Sequence, residues 1–415
     1  MTAAVVPELR ARIEALPGMD RVLPSLDGLP PSYLVGGAVR DLLRGARSVD
    51  LDIALEGDAH DAARELAERL GGESRIHERF GTATVRAGDL SLDLATTRRE
   101  RYRRPGALPE VEPAPLEQDL GRRDFTVNAM AVALAREERG RLHDPHAGRA
   151  DLDAGVIRVL HRHSFVDDPT RLLRAVRYEA RLGFALDRDT EALARAGAAD
   201  RVSDTVSGKR MGAELLQLLA EEPLRAALAR LAELGLDRAL DPALAVDPDL
   251  AAAAAEAAPD VGADRALAAL AALIAPAVDT LGRWLESLDL GAERRDRVLR
   301  AARSAQSIAA ALIAEPTPPD SELRRLLVAD PPEALALALA LGAPPEPISR
   351  YLDTVHAARL DIGGDDLVAA GIDPSPALGR ALAETLRRKL DGEVSGREEE
   401  LRLALSLARG DRERP

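Results

Sequence analysis

Two aspartates with a spacing of two residues, Asp50 and Asp52, stand in the apolar run at residues 49–55. Alternate residues of a β-strand point to the same face, so this spacing brings both carboxylates to one side of the chain. Two like charges on one face repel each other unless a cation neutralises them. The pattern therefore predicts a site for a divalent cation, with Mg²⁺ as the expected ion. The alternative is a polar edge strand whose aspartates face water.

Two adjacent glycines, Gly36 and Gly37, follow the apolar run at residues 32–35 and precede a helical pattern that contains Arg40. A glycine turn between a strand and a helix presents backbone N–H groups to a phosphate without a Cβ in the way. Such a turn is also common without any ligand, but here the carboxylate pair follows shortly after it. We therefore expect Gly36, Gly37 and Arg40 to hold the phosphates of a nucleotide.

The whole stretch, GGAVRDLLRG followed by VDLDIAL, resembles the signature of the polymerase-β-like nucleotidyltransferases. More narrowly, it is similar to the class II tRNA nucleotidyltransferases and the related bacterial poly(A) polymerases. The resemblance implies that Asp50 and Asp52 are the catalytic metal ligands. In that superfamily a third carboxylate can complete the metal site, and Asp93 is the candidate by its place on a later strand. An aspartate before a turn also has common structural roles, so this position is open.

The sequence Arg122-Arg123-Asp124-Phe125-Thr126 resembles the RRDFT motif of the same family. Paired guanidiniums suit triphosphate oxygens or a ribose hydroxyl, since each offers a planar fork of donors and stays charged at any working pH. Read alone, the motif also fits a surface ion pair at the start of a helix. Beside the other motifs, it predicts that Arg122, Arg123 and Asp124 bind the nucleotide.

A segment starting at Phe165 matches the family's base-reading motif E-D-x-x-R, with Asp167 in place of the glutamate. Asp168 and Arg171 are three residues apart on a starting helix, so we expect them to share a face. Arg174 and Arg177 follow at helical spacing, and we include both in the predicted nucleotide site. The alternative for Asp168 is a helix cap, because Asp before Pro is favoured in a first helical turn.

A carboxylate acceptor beside a guanidinium donor complements an amino group next to a ring acceptor. Cytosine and adenine both present that pattern, at N4/N3 and at N6/N1. Guanine and uracil present a carbonyl beside a ring N–H, which sets acceptor against acceptor and donor against donor. One pair, Asp168 and Arg171, could thus accept CTP and ATP without a nucleic-acid template.

The motif at residues 207–215 resembles the family's S-x-E-R-I-x-x-E-L, with Lys209 where glutamate is usual. Arg210 and Glu214 are four residues apart, so we predict that they form an ion pair that braces their own helix, without chemistry.

The secondary-structure elements that must position these residues change in type along the chain. Short β-branched or alternating runs at residues 32–35, 49–55, 83–85, 90–95 and 156–160 predict strands, and residues 59–70 predict a helix. From Pro169 onward, alanine, leucine and arginine recur at helical spacing. We expect an α+β fold with a nucleotidyltransferase head at 1–150, a helical neck at 151–220 and an all-helical body and tail at 221–415.

The helical part contains arginine clusters that include Arg294, Arg295, Arg324 and Arg387. Such clusters could hold the phosphates of tRNA, although most are solvated helix faces. The net charge of −14 would repel nucleic acid as a whole, so any RNA contact must be local. Since only 2% of residues are aromatic, contact through phosphate and shape is expected rather than base stacking.

The chain has no cysteine, which excludes disulfides and thiolate metal sites. Its first residues lack the pattern of a signal peptide, and no run of about 20 apolar residues predicts a membrane span. A reducing cytoplasm fits these features, and the oligomeric state is left open.

Together the motifs predict a Mg²⁺-dependent enzyme that adds CCA to the 3′ end of tRNA from CTP and ATP. The resemblance also implies that a flexible loop, here residues 96–109, switches the site from cytosine to adenine. Its charged stem at 98–104 and its Pro/Gly hinge favour full CCA addition over CC-only or A-only activity. A poly(A) polymerase usually carries a long basic extension, which the short run at 409–415 does not provide. A non-catalytic RNA-binding module is the least favoured alternative, because a pure binder gains nothing from clustered acids facing phosphate.

Overall fold

The computed structural model describes residues 7–47, 50–78 and 81–410. These residues form two compact units, one that ends at Pro242 and one that begins at Ala243. The first unit is α+β and the second is helical, which confirms the predicted fold class. Val49, the first residue of one predicted strand, lies outside the described residues, as do residues 411–415 of the terminal run.

The strands of the first unit belong to one large mixed sheet and two small ribbons. In chain order they are β1 (Ser32–Val35), β2 (Leu51–Leu55), β3 (Glu73–His77), β4 (Thr82–Ala87), β5 (Leu90–Thr96), β6 (Arg98–Arg101), β7 (Glu110–Pro113), β8 (Ala131–Ala133), β9 (Leu142–His143), β10 (Val156–Ile157) and β11 (Ala185–Leu186). The large sheet has the order β3-β4-β5-β2-β1-β8-β9, and within it β2 and β5 run parallel.

The helices of the first unit surround this sheet and continue beyond it. They are α1 (Pro7–Glu14), α2 (Met19–Ser25), α3 (Gly37–Leu43), α4 (Ala59–Leu70), α5 (Leu116–Gly121), α6 (Gly148–Ala154), α7 (Ser164–Asp167), α8 (Thr170–Leu182), α9 (Arg188–Ala199), α10 (Gly208–Leu219), α11 (Leu224–Glu233) and α12 (Leu236–Leu240). The predicted helical neck also contains the parallel pair of β10 and β11.

Helix α4 shows how closely local sequence fixes some of these elements. Asp58 accepts hydrogen bonds from the backbone N–H groups of His60 and Asp61, at 2.8 and 3.3 Å, and so caps the first turn. Gly71 ends the helix in the left-handed region, with φ at 67°. Its apolar face is buried. The predicted bounds, residues 59–70, are confirmed.

The second unit consists of packed helices with many buried alanines. They are α13 (Pro248–Ala257), α14 (Arg265–Ile274), α15 (Val278–Ser287), α16 (Ala292–Ala314), α17 (Asp320–Leu327), α18 (Pro332–Ala340), α19 (Pro345–Arg350), α20 (Gly364–Ala369), α21 (Pro376–Leu390) and α22 (Gly396–Arg409). Alanine suits these helices because it has the highest helix propensity and allows close packing.

One helical segment, Arg265–Ser287, is long and apolar enough for a membrane span by length and composition alone, with a mean hydropathy of 1.4. This finding differs from the expectation that no such run occurs. However, residues 266–274 are all buried inside the second unit. The core helix of a folded domain passes the same test, so the segment is weak evidence for a membrane protein.

Several strands differ from the prediction. Strand β2 begins at Leu51 and β10 ends at Ile157, and the predictions did not include β3, β6, β7, β8, β9 and β11. The stem expected to be a flexible loop is instead a ribbon in which β6 pairs antiparallel with β7. Ion pairs between Arg99 and Glu112 and between Arg103 and Glu110 join the two sides of this segment. Charged cross-strand pairs therefore replace the apolar alternation on which strand prediction depends.

Candidate active site

A polar cleft of about 660 Å³ opens in the first unit. It collects residues from the end of β1, the start of α3, β2, the segment before Phe125, and helices α8 and α10. Of the residues predicted for the site, it is lined by Gly36, Gly37, Arg40, Asp50, Asp52, Arg122, Arg123, Asp124, Asp168, Arg171 and Arg174. Asp93 and Arg177 are not among its lining residues.

The carboxylates lie on the two parallel strands at the centre of the sheet. Asp52 of β2 stands opposite Asp93 of β5 in the strand register, and Asp50 immediately precedes β2. Burial raises the pKa of the Asp52 carboxyl to about 6, and repulsion from Asp93 and then Asp50 adds to the effect. Thr84, on the neighbouring strand β4, donates a hydrogen bond of 2.7 Å to Oδ1 of Asp93. Negative charge is therefore crowded at this point.

Asp50 and Asp52 fit a divalent cation, with Asp93 close beside them. Burial and then the neighbouring carboxylates raise the pKa of Asp52 more than the charge of Arg123 lowers it, and a bound cation would favour the ionised carboxylate. Across the described ranges, no group of three or more histidine or acidic side chains is arranged closely enough to hold a metal ion.

Gly36 has a backbone conformation that favours glycine, and the guanidinium of Arg123 lies close to it. Its φ of +68° lies in the region that L side chains rarely adopt, and a Cβ built on it would be 2.7 Å from Nη1 of Arg123. Gly37, the first residue of α3, lies beside the guanidinium of Arg40. The double glycine therefore lets two guanidiniums approach the backbone at the mouth of the cleft.

Arg40 is buried and already has protein partners. It forms two hydrogen bonds of 2.9 Å to Asp41, and its Nη1 donates to Oδ1 of Asn128 at 2.6 Å. Its guanidinium also lies over the ring of Tyr178, 5.3 Å from the centroid. Since these contacts use three of its five donors, Arg40 has less capacity for a triphosphate than the sequence predicted.

Asp119, which the sequence did not single out, holds both arginines of the RRD motif. Its carboxylate accepts hydrogen bonds from Arg122 at 2.8 and 2.9 Å and from Arg123 at 2.9 Å. Burial alone raises the pKa of Asp119, but the charges of Arg122 and Arg123 outweigh burial and hold it below its ordinary value. Arg122 also reaches Glu100 at 2.9 Å. The fork of guanidiniums is thus fixed before any ligand binds.

Asp124 is buried, and both of its oxygens have protein partners. Oδ2 accepts from Arg174 at 2.5 and 2.9 Å, and Oδ1 accepts from the side chain of Asn128 and the backbone of Phe125. Burial raises the pKa of Asp124, yet the charge of Arg174 outweighs it and lowers the net value. In this arrangement Asp124 fixes Arg174, which also contacts Glu214 at 3.2 Å.

The predicted base-reading pair lies at the cleft, but not on one helix face. Helix α8 begins at Thr170, and Asp168 precedes it with extended backbone angles, φ −136° and ψ 93°. Its Oδ1 accepts hydrogen bonds from N and Oγ1 of Thr170, at 3.1 and 2.6 Å, which is the capping geometry of the alternative reading. Arg171 donates to Oγ of Ser164 and to the carbonyl of Arg122, both at 2.7 Å.

The ion pair predicted between Arg210 and Glu214 is wrong. Arg210 instead pairs with Asp168 at 2.8 Å, while Glu214 pairs with Arg174 at 3.2 Å and Arg177 at 3.3 Å. The reason is that α10 packs against α8, whose charged side chains compete with partners on the same helix. Arg177 lies behind the cleft, where it also contacts Gln217.

The sequence also missed several residues that line the cleft. They include Asp41, Glu100, Tyr102, Asn128, Tyr178, Arg181, Arg210 and Glu214. Asn128, Arg210 and Glu214 belong to recognised motifs, so a closer look at those motifs could have found them. Tyr102 follows the charged strand β6 and donates to Glu100 at 3.0 Å, and no local signal marks it. Burial and then the charge of Glu100 raise the pKa of Tyr102.

The arginines predicted to bind RNA lie in the second unit and differ in their surroundings. Arg294 is exposed near the start of α16. The other three have protein partners: Arg295 pairs with Asp296 at 2.9 Å, Arg324 donates to the carbonyls of Val355 and His356 at 2.7 and 3.0 Å, and Arg387 pairs with Glu384 and Asp391, each at 2.9 Å.

Comparison with known proteins adds to this geometry. The family model for the Poly A polymerase head domain matches residues 32–158. The chain is 35% identical over 399 residues to the A-adding tRNA nucleotidyltransferase of Geobacter sulfurreducens, which covers 91% of this chain and 45% of that protein. It is 34% identical over 368 residues to the CC-adding tRNA nucleotidyltransferase of Deinococcus radiodurans, with 88% and 87% covered. The chain thus spans about half of the A-adding relative and most of the CC-adding one.

Solved structures of CCA-adding enzymes have the same fold. One, in complex with ATP, has a TM-score of 0.79 and 28% identity, with 100% of both chains covered. Another, in complex with CTP, has a TM-score of 0.78 and 30% identity, with 98% of this chain and 99% of that chain covered. The similarity extends well beyond the segment that the family model matches.

Proposed function

We propose a specific reaction for this chain, which belongs to the family of class II tRNA nucleotidyltransferases. The reaction is the template-independent transfer of nucleotides from CTP and ATP to the 3′ end of tRNA, with Mg²⁺ as the cofactor. The observation that carries the proposal is the cleft that Asp50 and Asp52 line together with Arg122 and Arg123. Acidic metal ligands opposite fixed cations are suited to phosphoryl transfer.

The residues of this chain have separate tasks in the reaction. Arg123, with Arg122 and Arg174, provides fixed positive charge for the triphosphate, because Asp119 and Asp124 orient the guanidiniums in advance. Asp50 and Asp52 would hold a divalent cation, which when bound would help to activate the 3′-hydroxyl and to neutralise charge on the leaving pyrophosphate. The raised pKa of Asp52 returns toward its ordinary range when positive charge is next to it.

Choice of the base is assigned to Asp168 and Arg171. Asp168 accepts the amino group of cytosine or adenine, and Arg171 donates to the neighbouring ring nitrogen. Uracil and guanine place a carbonyl opposite the carboxylate, which leaves buried acceptors unpaired. Arg171 is supported for this task by its two hydrogen bonds, to Ser164 and to the backbone of Arg122, which fix its plane.

For the product, we propose completion of the whole CCA sequence. Two observations support it: CCA-adding enzymes match the chain along nearly its full length, and the segment between β6 and β7 reaches the cleft through Tyr102 and Pro109. A second candidate is addition of the terminal A alone, which is favoured by the similarity to the A-adding relative over most of this chain.

Other proposals concern the domain boundaries, the tRNA-binding arginines, the cellular location and the role of Asp93. The division into head, neck, and body with tail at residues 150 and 220 stays a prediction, as does tRNA binding by Arg294, Arg295, Arg324 and Arg387. We also keep the proposal that the protein works in the cytoplasm. Asp93 is proposed to contribute charge to the metal site rather than to close a cage.

A primer-extension experiment tests the function directly. Purified protein is incubated with tRNA transcripts that end at the discriminator base, at C or at CC, with CTP, ATP, or both, in Mg²⁺. Product length on a sequencing gel is expected to increase by three nucleotides, ending in A, from the discriminator base with both nucleotides. Extension that stops after CC, or that occurs only from CC with ATP, identifies a partial enzyme. A long A tract indicates a poly(A) polymerase, and no addition to any transcript overturns the proposal.

A further inference from the structure

Arg210 of α10 connects two parts of the cleft that are far apart in sequence. Its Nη2 forms an ion pair of 2.8 Å with Oδ1 of Asp168. Its Nη1 donates a hydrogen bond of 3.1 Å to the carbonyl of Gly106, in the turn between β6 and β7. Its side chain is 24% exposed and lines the cleft, so it is accessible to a bound ligand as well.

The hydrogen bonds to Asp168 are divided unequally between its two oxygens. Oδ1 accepts hydrogen bonds from N and Oγ1 of Thr170, and it is the oxygen nearest to the guanidinium of Arg210 in their ion pair. Among the described residues, no hydrogen bond is donated to Oδ2. The carboxylate is therefore anchored by one oxygen and has the other available for a ligand.

The geometry points to Arg210 as a positioning residue that determines base specificity. It fixes Oδ1 of Asp168 so that Oδ2 accepts the amino group of cytosine or adenine, and it joins this carboxylate to the turn at residues 102–109. The inference rests on the proposed function, since it takes Asp168 to be the acceptor for the base. Without Arg210, Thr170 alone holds Oδ1, and the carboxylate has a broad torsional range about χ2.

Gly106 makes the second contact of Arg210 dependent on the position of the turn. Its φ is +68°, and a Cβ built on it would lie 2.4 Å from the carbonyl oxygen of Thr205. Only glycine therefore allows the turn to dock this closely on the segment before α10. As long as the turn is docked, the guanidinium of Arg210 is held between the Gly106 carbonyl and Asp168. Displacement of the turn removes one of its two anchors.

A merely structural role for Arg210 makes a different prediction. An arginine that only braces α10 would affect stability and would weaken the binding of all nucleotides equally. An arginine that orients Asp168 affects CTP and ATP more than UTP and GTP, because only the first two use the carboxylate as an acceptor. The ratio of affinities is therefore the decisive readout.

The test compares Arg210→Gln, Arg210→Lys and the control Lys209→Gln. Lys209 is the exposed neighbour of Arg210 on the same helix and does not line the cleft. Calorimetry gives the Kd for CTP, ATP, UTP and GTP, and thermal melting checks the fold. Arg210→Gln is expected to reduce the preference for CTP over UTP about 10- to 100-fold, mainly through a higher Kd for CTP. Arg210→Lys is expected to retain part of the preference for CTP over UTP, since an ammonium ion still pairs with Asp168. Lys209→Gln should match the wild type.

A second variant, Gly106→Ala, tests the connection to the turn. It is expected to reduce the same preference by a smaller factor, and to have no further effect once Arg210 is glutamine. Equal loss of affinity for all four nucleotides, or an unchanged preference in a folded Arg210→Gln protein, overturns the inference. Because binding is measured without tRNA, a protein that transfers no nucleotide would contradict the proposed function while the base preference still tests Arg210.

Discussion

The same dipeptide occurs in both units of this protein, in two different settings. Arg122 and Arg123 share the buried carboxylate of Asp119, which fixes both guanidiniums beside the cleft. Arg294 and Arg295 stand near the start of α16, where Arg295 pairs with its neighbour Asp296 and Arg294 is exposed. A pair of arginines is therefore pre-organised for a ligand only where the fold supplies a buried acid to orient it.

A similar contrast holds between other ion pairs at the cleft and the exposed ion pairs on the helix surfaces of the second unit. At the cleft, arginines pair with acids that are distant in sequence, such as Arg174 with Asp124 and Arg210 with Asp168. In the second unit, pairs such as Arg325 with Glu322 lie within one helical turn and face solvent. Exposed local pairs contribute little to stability, while buried pairs depend on both partners. Single substitutions at the cleft should thus reduce the stability of the protein far more than substitutions on the exposed helix surfaces.

The largest effect is expected from Asp52→Asn. Loss of one of the two carboxylates proposed to bind the metal should reduce the transfer rate by at least about 10³-fold, since a negative ligand becomes neutral. Single-turnover incorporation of CMP measures this rate. The matched control is Asp89→Asn, because the side chain of Asp89 is 98% exposed in a turn of the same sheet. Transfer near the wild-type rate in Asp52→Asn would contradict the metal assignment.

Although Asp52→Asn should slow the reaction, it should stabilise the folded protein at neutral pH. The pKa of Asp52 is raised to about 6 in the folded protein from an ordinary value of 3.8. The folded state therefore binds the proton more tightly, and stability falls as pH rises from about 4 to about 6. In EDTA at pH 7.5, Asp52→Asn should melt at a higher temperature than the wild type, and the difference should shrink toward pH 4.5. A lower melting temperature at pH 7.5 would argue against the crowding of charge at this point.

Breaking the buried ion pair between Asp124 and Arg174 at the cleft should strongly reduce the stability of the folded protein. Asp124→Ala leaves the guanidinium of Arg174 without its main partner, which is expected to reduce the free energy of unfolding by about 3–5 kcal/mol. The comparison is Glu322→Ala, in an exposed pair of the second unit, where the change should be under about 1 kcal/mol. Chemical denaturation of both variants gives the two values. Similar losses would show that the two regions do not differ in the way described.

The sequence predicted the secondary-structure elements better than the contact partners of the side chains, for physical reasons. The short apolar run of β1, the alternation of β5 and the helical spacing of α4 located these elements, because these signals are local. Strands β6 and β7 were missed because charged cross-strand pairs stabilise them instead. The partners of Arg210 and Glu214 come from Asp168 before α8, from α8 itself and from the Gly106 turn, which helical spacing does not reveal. The motifs thus identified most residues of the cleft, while the tertiary contacts that orient them could not be read from the sequence.

A smaller effect on the reaction is expected when one arginine of each Arg-Arg dipeptide, Arg123 or Arg295, is replaced. Arg123→Gln should raise the KM for CTP about 10- to 100-fold, because a charge-assisted contact to phosphate is lost from an ordered site. Arg295→Gln should leave this KM unchanged. Steady-state kinetics with saturating tRNA separates the two. A change of equal size in Arg295→Gln would mean that the second arginine pair also acts on the nucleotide.

The smallest effect concerns Arg294 and tRNA. With a net charge of −14, the chain needs local positive charge to approach RNA, and the exposed Arg294 has no ion-pair partner among the described residues. If it contacts a phosphate, Arg294→Gln should weaken tRNA binding only a few-fold. It should also reduce the slope of log Kd against log salt concentration by about 1, because one counterion fewer is released. Arg64→Gln, which removes an exposed arginine paired with Asp61 in the first unit, provides the control and should leave the slope unchanged. Identical slopes for Arg294→Gln and the wild type would place Arg294 on a solvated helix face, so the two dipeptides would then differ in function as well as in setting.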